Sequence, residues 1–440
     1  MHESFLEGKY TINFSFGKRE IATITALLAL SFIVRWLLFP IPGYKNDMVT
    51  FEAWFGTAAD HGLRSFYSLT RCDYPPFNVY LFWGFGSLAK AFSLFGTPQI
   101  TYIIKLVPAI FDAVIGFLIF VFIRSRLDFK TAIIAAALYV FNPAVIYNSA
   151  VWGQFDAIYT FFLVLALMLA LASKPELSVV TYGISVLTKP QAIALLPLIA
   201  YLILRKNGWR RLVTSLVAGA ATVFTVILPF EWTNPVTFLA NNYLFGYGEY
   251  ALTSVNAFNP WAFGGFGVSD TLLTFILGWI LFGGLAVFAL YFSHKRLGPS
   301  GELVLFFSAF VLFFGFFMLP TRIHERYLFP VISMLTLMFP FIKKTRPLYL
   351  VLTATLFANI SYVLYWLNVY ANAGYTYGPN LTGDPVVLAI SLINSIAFLY
   401  VLLLMWHELR GRSWFRINPL KIGRVTKTEA RENENRIRPK

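Results

Sequence analysis

"IATITALLALSFIVRWLLF" (residues 21–39) runs straight into "PIPGYKNDMVTFEAW" (residues 40–54). The first stretch has the length and apolarity of a helix that crosses a hydrocarbon core, which takes roughly 20 residues. The second brings an acid, Asp47, to the place where the chain leaves the membrane, with Glu52 and Trp54 close behind. The rest of the chain follows the same rule. Its 440 residues are 58% hydrophobic and only 13% charged, more apolar surface than a water-soluble domain can hide. Aromatics make up 18%, including 46 Phe, which suits lipid-facing helices and interfacial belts. One cysteine, Cys72, excludes an internal disulfide, and the five histidines show no metal-ligand spacing. The net charge of +14 sits in short loops and the C-terminal end, so it points to membrane topology rather than to nucleic acid. These features describe an all-α polytopic membrane protein.

Spans are expected near 21–39, 101–123, 131–149, 157–173, 212–230, 271–293, 302–319, 326–342, 347–369 and 385–406. Two shorter apolar pieces, 177–188 and 190–204, meet at "TKPQ" (188–191), and a further one, 76–96, begins at a Pro-Pro pair. No small-residue cleavage site follows the first apolar run, so it is read as an uncleaved span behind a cytoplasmic segment 1–20. The links "RSRLDFK" (124–130), "RKNGWRR" (205–211), "HKR" (294–296) and "KKTR" (343–346) are basic and should face the cytoplasm. Residues 231–270 and 371–383 hold no Lys or Arg and should lie outside. Parity then turns the "TKPQ" corner outward. It also makes 76–96 a juxtamembrane helix within a long external loop, 40–100. The tail 407–440, with ten Lys or Arg against four Glu, returns to the cytoplasm. It is read as a mixture of a disordered solvated end and a segment adhering to anionic lipid, where each basic residue near the surface adds about 1 kcal/mol.

Five polar groups converge on the outer side: Asp47 with Glu52, Asp73, Asp156, Lys189 with Gln191, and "RIHER" (322–326). Taken singly, each has an ordinary explanation. A loop carboxylate is usually just hydrated, Asp73 can start a turn before Tyr-Pro-Pro, and Arg322 and Arg326 can anchor a helix end. Lys189 is harder to dismiss, because it interrupts apolar sequence beside a helix break. Together they supply the parts of a glycosyl transfer from a lipid-phosphate donor. An acid serves as general base toward an alcohol, and cations neutralise a departing phosphate. A transporter or flippase of lipid-linked sugars is the competing reading, since broken helices and buried Lys also mark substrate paths. Against it, the chain shows no internal repeat, and its polar groups gather at one face.

In family order, Asp47 with Trp54, Asp73-Tyr74-Pro75-Pro76, Gly153-Gln154-Phe155-Asp156, Lys189-Pro190-Gln191 and His324-Glu325-Arg326 run from about residue 47 to 326. Together they resemble the GT-C superfamily of polytopic glycosyltransferases that use polyprenyl-phosphate sugars. The likeness is strongest to the glucosyltransferases that extend dolichol-linked oligosaccharide and to relatives of the GPI second-mannose transferases. The resemblance implies a bundle of about 10–13 transmembrane helices. A catalytic module would cover 21–345 and further C-terminal helices 346–406. It implies transfer of one hexose from a polyprenyl-phosphate donor to a glycan, glycolipid or protein hydroxyl, with inversion, at the outer or lumenal face. Asp47 would be the base. Lys189, Arg322, His324 or Arg326 would assist the leaving phosphate, and the sequence does not rank them. Asp73 and Asp156 would orient the acceptor or hold the basic groups. Lys105 is either a second phosphate contact or an interfacial anchor, and Asp112 either matches an acid of some relatives or pairs with a neighbouring helix. Asn46-Asp47-Met48-Val49 lacks the Asp-x-Asp pair that would support a divalent metal, and Glu52 sits at a poor spacing to replace it.

Overall fold

The computed structural model describes residues 16–248, 250–297, 301–370 and 383–411. The expected segment 1–20 lies mostly outside the described residues, as does the basic tail 407–440. The fold is helical throughout, apart from one small strand pair. The first span is α1 (Lys18–Leu38), and the loop after it holds α2 (Lys45–His61), α3 (Phe66–Leu69) and α4 (Pro76–Ala91). Then come α5 (Ile100–Arg124), α6 (Phe129–Val140), α7 (Pro143–Trp152), α8 (Asp156–Leu171) and α9 (Pro175–Val186). A 3-10 turn, Pro190–Leu195, leads into α10 (Leu196–Ile227), followed by α11 (Pro235–Gly248) and α12 (Leu272–Arg296). The chain closes with α13 (Gly301–Met318), α14 (Phe329–Met338), α15 (Thr345–Tyr370) and α16 (Pro385–Leu409).

Among the described residues, seven helices are long and apolar enough to cross a membrane. The α6–α7 pair, bent by 45°, makes an eighth, and α8 and α14 are shorter apolar helices. The chain is therefore an all-α, multi-pass integral membrane protein. The 16-residue α4 is not among the spanning helices, and the loop between α1 and α5 carries three helices of its own. α10 is two helices in one. At Gly208, inside the basic link, φ is +80°, and the chain turns from one short apolar piece into the next.

Every residue of α13 is buried, including its seven phenylalanines, so this helix, apolar all round, is the axis of the bundle. α1 lies at the periphery, with Leu30, Ile33, Trp36 and Leu37 exposed. Its inner face carries one charge, Arg35, fully buried against Asp112 of α5 (Nε to Oδ2, 3.2 Å). Arg35 Nη1 also donates to the Val140 carbonyl at 2.8 Å. Pro143, lacking an N–H, ends the α6 ladder there, and the guanidinium takes up a carbonyl released by the break. Asp112 thus pairs with a neighbouring helix. Asn142 caps α7 through Ala144 N and holds Tyr349 and Thr353 of α15 with its amide.

The basic links cluster at the end of the bundle where Arg124 meets Glu20, Arg126 meets Glu302 and Arg296 meets Glu408. The opposite end holds the helices of the first loop and a two-residue parallel pairing of β1 (Ser254–Val255) with β2 (Ile323–His324).

Candidate active site

Asp47 stands in the first turn of α2, where unpaired backbone N–H groups favour a carboxylate. The end of α7 meets it. Residues Tyr147–Trp152 widen into a π-helical turn, and Gly153 reverses the chain with φ +85°. The Asn148 carbonyl accepts from both Gly153 N (3.1 Å) and Gln154 N (2.9 Å), which closes the reversal. Two side chains then reach Asp47. Trp152 Nε1 donates to its Oδ2 at 2.8 Å, and Gln154 Nε2 donates to the same oxygen at 2.7 Å. The approach depends on two glycines. A Cβ at Gly43 would lie 2.5 Å from the Trp152 carbonyl oxygen, and one at Gly153 would lie 2.9 Å from Met48 Cε.

Facing this acid is a buried charge network. Asp156, fully buried at the start of α8, accepts Lys189 Nζ on Oδ1 at 2.8 Å. Its Oδ2 lies 3.7 Å from Arg326 Nε and accepts Asn148 Nδ2 at 3.3 Å. Arg326 also grips the buried carboxylate of Glu325 through Nη1. The Lys189 ammonium lies 5.4 Å from the Tyr74 ring centroid and 5.9 Å from that of Tyr159, within cation–π range. The broken helix at 187–190 is held open by α4. Phe77 N donates to the Leu187 carbonyl (3.0 Å) and Asn78 Nδ2 to that of Thr188 (2.6 Å), so the turn "DYPPFN" docks on the turn "LTKP".

A cavity of about 480 Å³ lies between these walls. Asp47, Trp54, Asp73, Lys189, Gln191, Arg322, His324 and Arg326 all line it, so eight of the ten expected site residues meet in one place. The other two do not line it. Asp156 lies behind the wall as the partner of its cations. Lys105 is fully buried and donates to the carbonyls of Phe39 and Ile41, where the chain leaves α1. Those carbonyls have run out of helical donors, and the ammonium satisfies them. Glu52 is elsewhere, accepting from Gly96 N at 2.7 Å. Trp54 turns its indole N–H to the Arg71 carbonyl (2.9 Å) and stacks on Phe82, so it buttresses the wall as well as lining it. Arg322 is paired with Asp270 through Nε at 2.8 Å and sits at φ +63°.

Burial raises the Asp47 carboxyl above the usual range, against the pull of Arg326, the Trp152 hydrogen bond and Lys189, with Asp73 adding to the rise. Burial also raises Asp73, against Arg326, Lys189 and Arg71. Two carboxyls in one cavity are thereby made more basic than free aspartate. His324 moves the other way. Burial, then Arg326 and Lys189, hold its imidazole well below its normal value, and the rings of Tyr250 and Tyr327 pack against it. These surroundings favour a neutral imidazole over a third cation. We expect the imidazole signals of His324 to show no protonation down to pH 6 in nuclear magnetic resonance of the purified protein. Among the described residues, no group of three or more His, Cys, Asp or Glu side chains is placed to hold a metal ion.

Several residues of the site are not marked by the sequence as such. Glu325 is part of a motif but is the buried counter-charge of Arg326. Trp152 and Gln154 carry the only hydrogen bonds to Asp47 found among the described side chains. Asp270 lies in the loop 231–270, which stands out in sequence only for its lack of cations.

No family model and no curated protein matches the chain. Among solved structures, the crystal structure of the Archaeoglobus fulgidus oligosaccharyltransferase in the apo form is similar over 92% of this chain. The TM-score is 0.39, the identity 13%, and the match covers 61% of that chain. A likeness this slight carries no functional conclusion.

Proposed function

We propose that this protein is a GT-C-type glycosyltransferase. In this reading it moves a single hexose, mannose or glucose, from a polyprenyl-phosphate donor to a hydroxyl of a glycan, glycolipid or protein. The cavity would open at the outer or lumenal face, opposite the basic links, with the tail in the cytoplasm. The observation that carries the proposal is the pairing of one held, unusually basic carboxylate, Asp47, with a lysine–arginine pair in a single cavity.

That arrangement suits an in-line displacement. Asp47 takes the proton from the acceptor hydroxyl as its oxygen bonds to the anomeric carbon. The bond from that carbon to the phosphate oxygen breaks, its electron pair leaves with the phosphate, and the configuration inverts. Lys189 and Arg326 offset the developing charge. Both are already neutralised in part by Asp156 and Glu325, so they present donors without an unpaired buried charge in the resting site. Asp73 and Gln191 are left to orient the sugar hydroxyls.

The test uses purified protein in liposomes with a membrane lipid extract and synthetic labelled polyprenyl-phosphate mannose or glucose. Transfer of label to an acceptor from one of these donors, and none from a nucleotide sugar, supports the proposal. Movement of the intact donor between leaflets with no transfer would replace it with the flippase reading.

A further inference from the structure

The Asp47 carboxylate is held asymmetrically. Both donors that reach it, the Trp152 indole and the Gln154 amide, end on Oδ2, at 2.8 and 2.7 Å. Oδ1 receives no hydrogen bond from either. Both donors are themselves 1% exposed, so the surrounding packing holds them in place, with Gln154 at the cavity wall. They are set by one continuous piece of backbone, the π-helical turn Tyr147–Trp152 and the left-handed Gly153, closed by the Asn148 carbonyl. The same segment continues to Asp156, and Asn148 also donates to that carboxylate. One ten-residue stretch, 147–156, therefore fixes both poles of the cavity.

We propose that Trp152 and Gln154 are positioning residues that pin Oδ2 of Asp47 and so define Oδ1 as the oxygen that receives the acceptor's proton. This rests on the transferase reading given above. Two donors on one oxygen stop the carboxylate from rotating about its Cβ–Cγ bond and direct the lone pairs of the other oxygen into the cavity. A base held this way loses little orientational freedom at the moment of proton transfer. The segment 147–156 also ties the position of the base to that of Lys189 and Arg326 through Asp156, so the distance between proton acceptor and leaving-group cations is set within one local fold.

The groups facing Asp47 are Arg326 and Lys189, which favour its ionised form, and Asp73 and Glu325, which oppose it; Tyr44 and Tyr74 also lie within its field. Against that background, each lost N–H donor removes a bond made to the ionised form. The sign follows: Trp152→Phe and Gln154→Met make Asp47 easier to protonate.

The experiment has two readouts on the full-length protein in liposomes. Infrared difference spectra are recorded as pH is lowered, with the Asp47 carboxyl band assigned by its loss in Asp47→Asn. In Trp152→Phe and in Gln154→Met, that band should protonate at higher pH than in the unaltered protein. Transfer kinetics should show kcat reduced roughly tenfold per lost donor, the acid limb of the rate moved to higher pH, and the donor KM little changed. Bands and limbs at the unaltered pH in both variants would overturn the positioning role, even if activity fell. A shifted infrared band with full transfer activity in Asp47→Asn would instead leave the hydrogen-bond geometry standing and remove the transferase role of Asp47.

Discussion

Asp156→Asn should abolish measurable transfer and strip about 3–5 kcal/mol from the stability of the folded protein. The first effect follows from position and the second from charge. Asp156 is fully buried and answers two cations at once, Lys189 at 2.8 Å and Arg326 at 3.7 Å. Removing one member of a buried ionic cluster leaves the remaining charges without compensation, and that is the costly direction, of about the size just given. Asparagine keeps the shape, so little of the loss comes from packing. The companion variant Asp156→Asn/Lys189→Met separates the causes. With one cation removed as well, thermal unfolding in detergent should recover a large part of the stability. Transfer should stay absent, because the leaving phosphate has lost a donor. Recovery of both together would show that Lys189 serves folding alone.

The helices were legible because the bilayer imposes a length and an apolarity that composition cannot conceal. The "TKPQ" break was legible too, since a proline after a lysine in apolar sequence cannot continue a helix. The first loop showed its helices through the Pro-Pro start of α4 and the aromatic run after Asp47. Pairings were a different matter. Lys189 and Asp156 lie 33 residues apart, and only the packing of α8 against α9 brings them to 2.8 Å. Lys105 reads as either a second phosphate contact or an interfacial anchor, but the carbonyls of Phe39 and Ile41 draw it inward, because the end of α1 has no donors left for them. Arg35 is buried in the last turn of α1 because a helix break 105 residues away frees a carbonyl, which no local pattern reveals. The contact of Trp152 with Asp47 depends on the π-helical turn, and that turn has no strong sequence signature.

Asp47→Asn should have a large effect on chemistry with little effect on structure. The amide oxygen can take the place of Oδ2, accepting from Trp152 Nε1 and Gln154 Nε2, so the protein should fold and bind donor much as before. What it loses is the proton acceptor. Positioned bases contribute roughly 10²–10⁴-fold to rate, and the loss should fall in that range. The pH dependence gives a second check. Burial raises the Asp47 carboxyl, so on the proposed mechanism the unaltered protein should lose transfer activity on acidification at a higher pH than an ordinary aspartate would impose. The residual rate of Asp47→Asn should lack that acid limb.

The account's central claim is that Asp47 takes the acceptor's proton during sugar transfer. Its most direct test is the initial rate of hexose transfer from a synthetic polyprenyl-phosphate sugar in liposomes, compared between the unaltered protein and Asp47→Asn at equal folded amount. The account predicts inverted product from the unaltered protein and a rate at least a hundredfold lower from the variant. Equal rates in the two would contradict it.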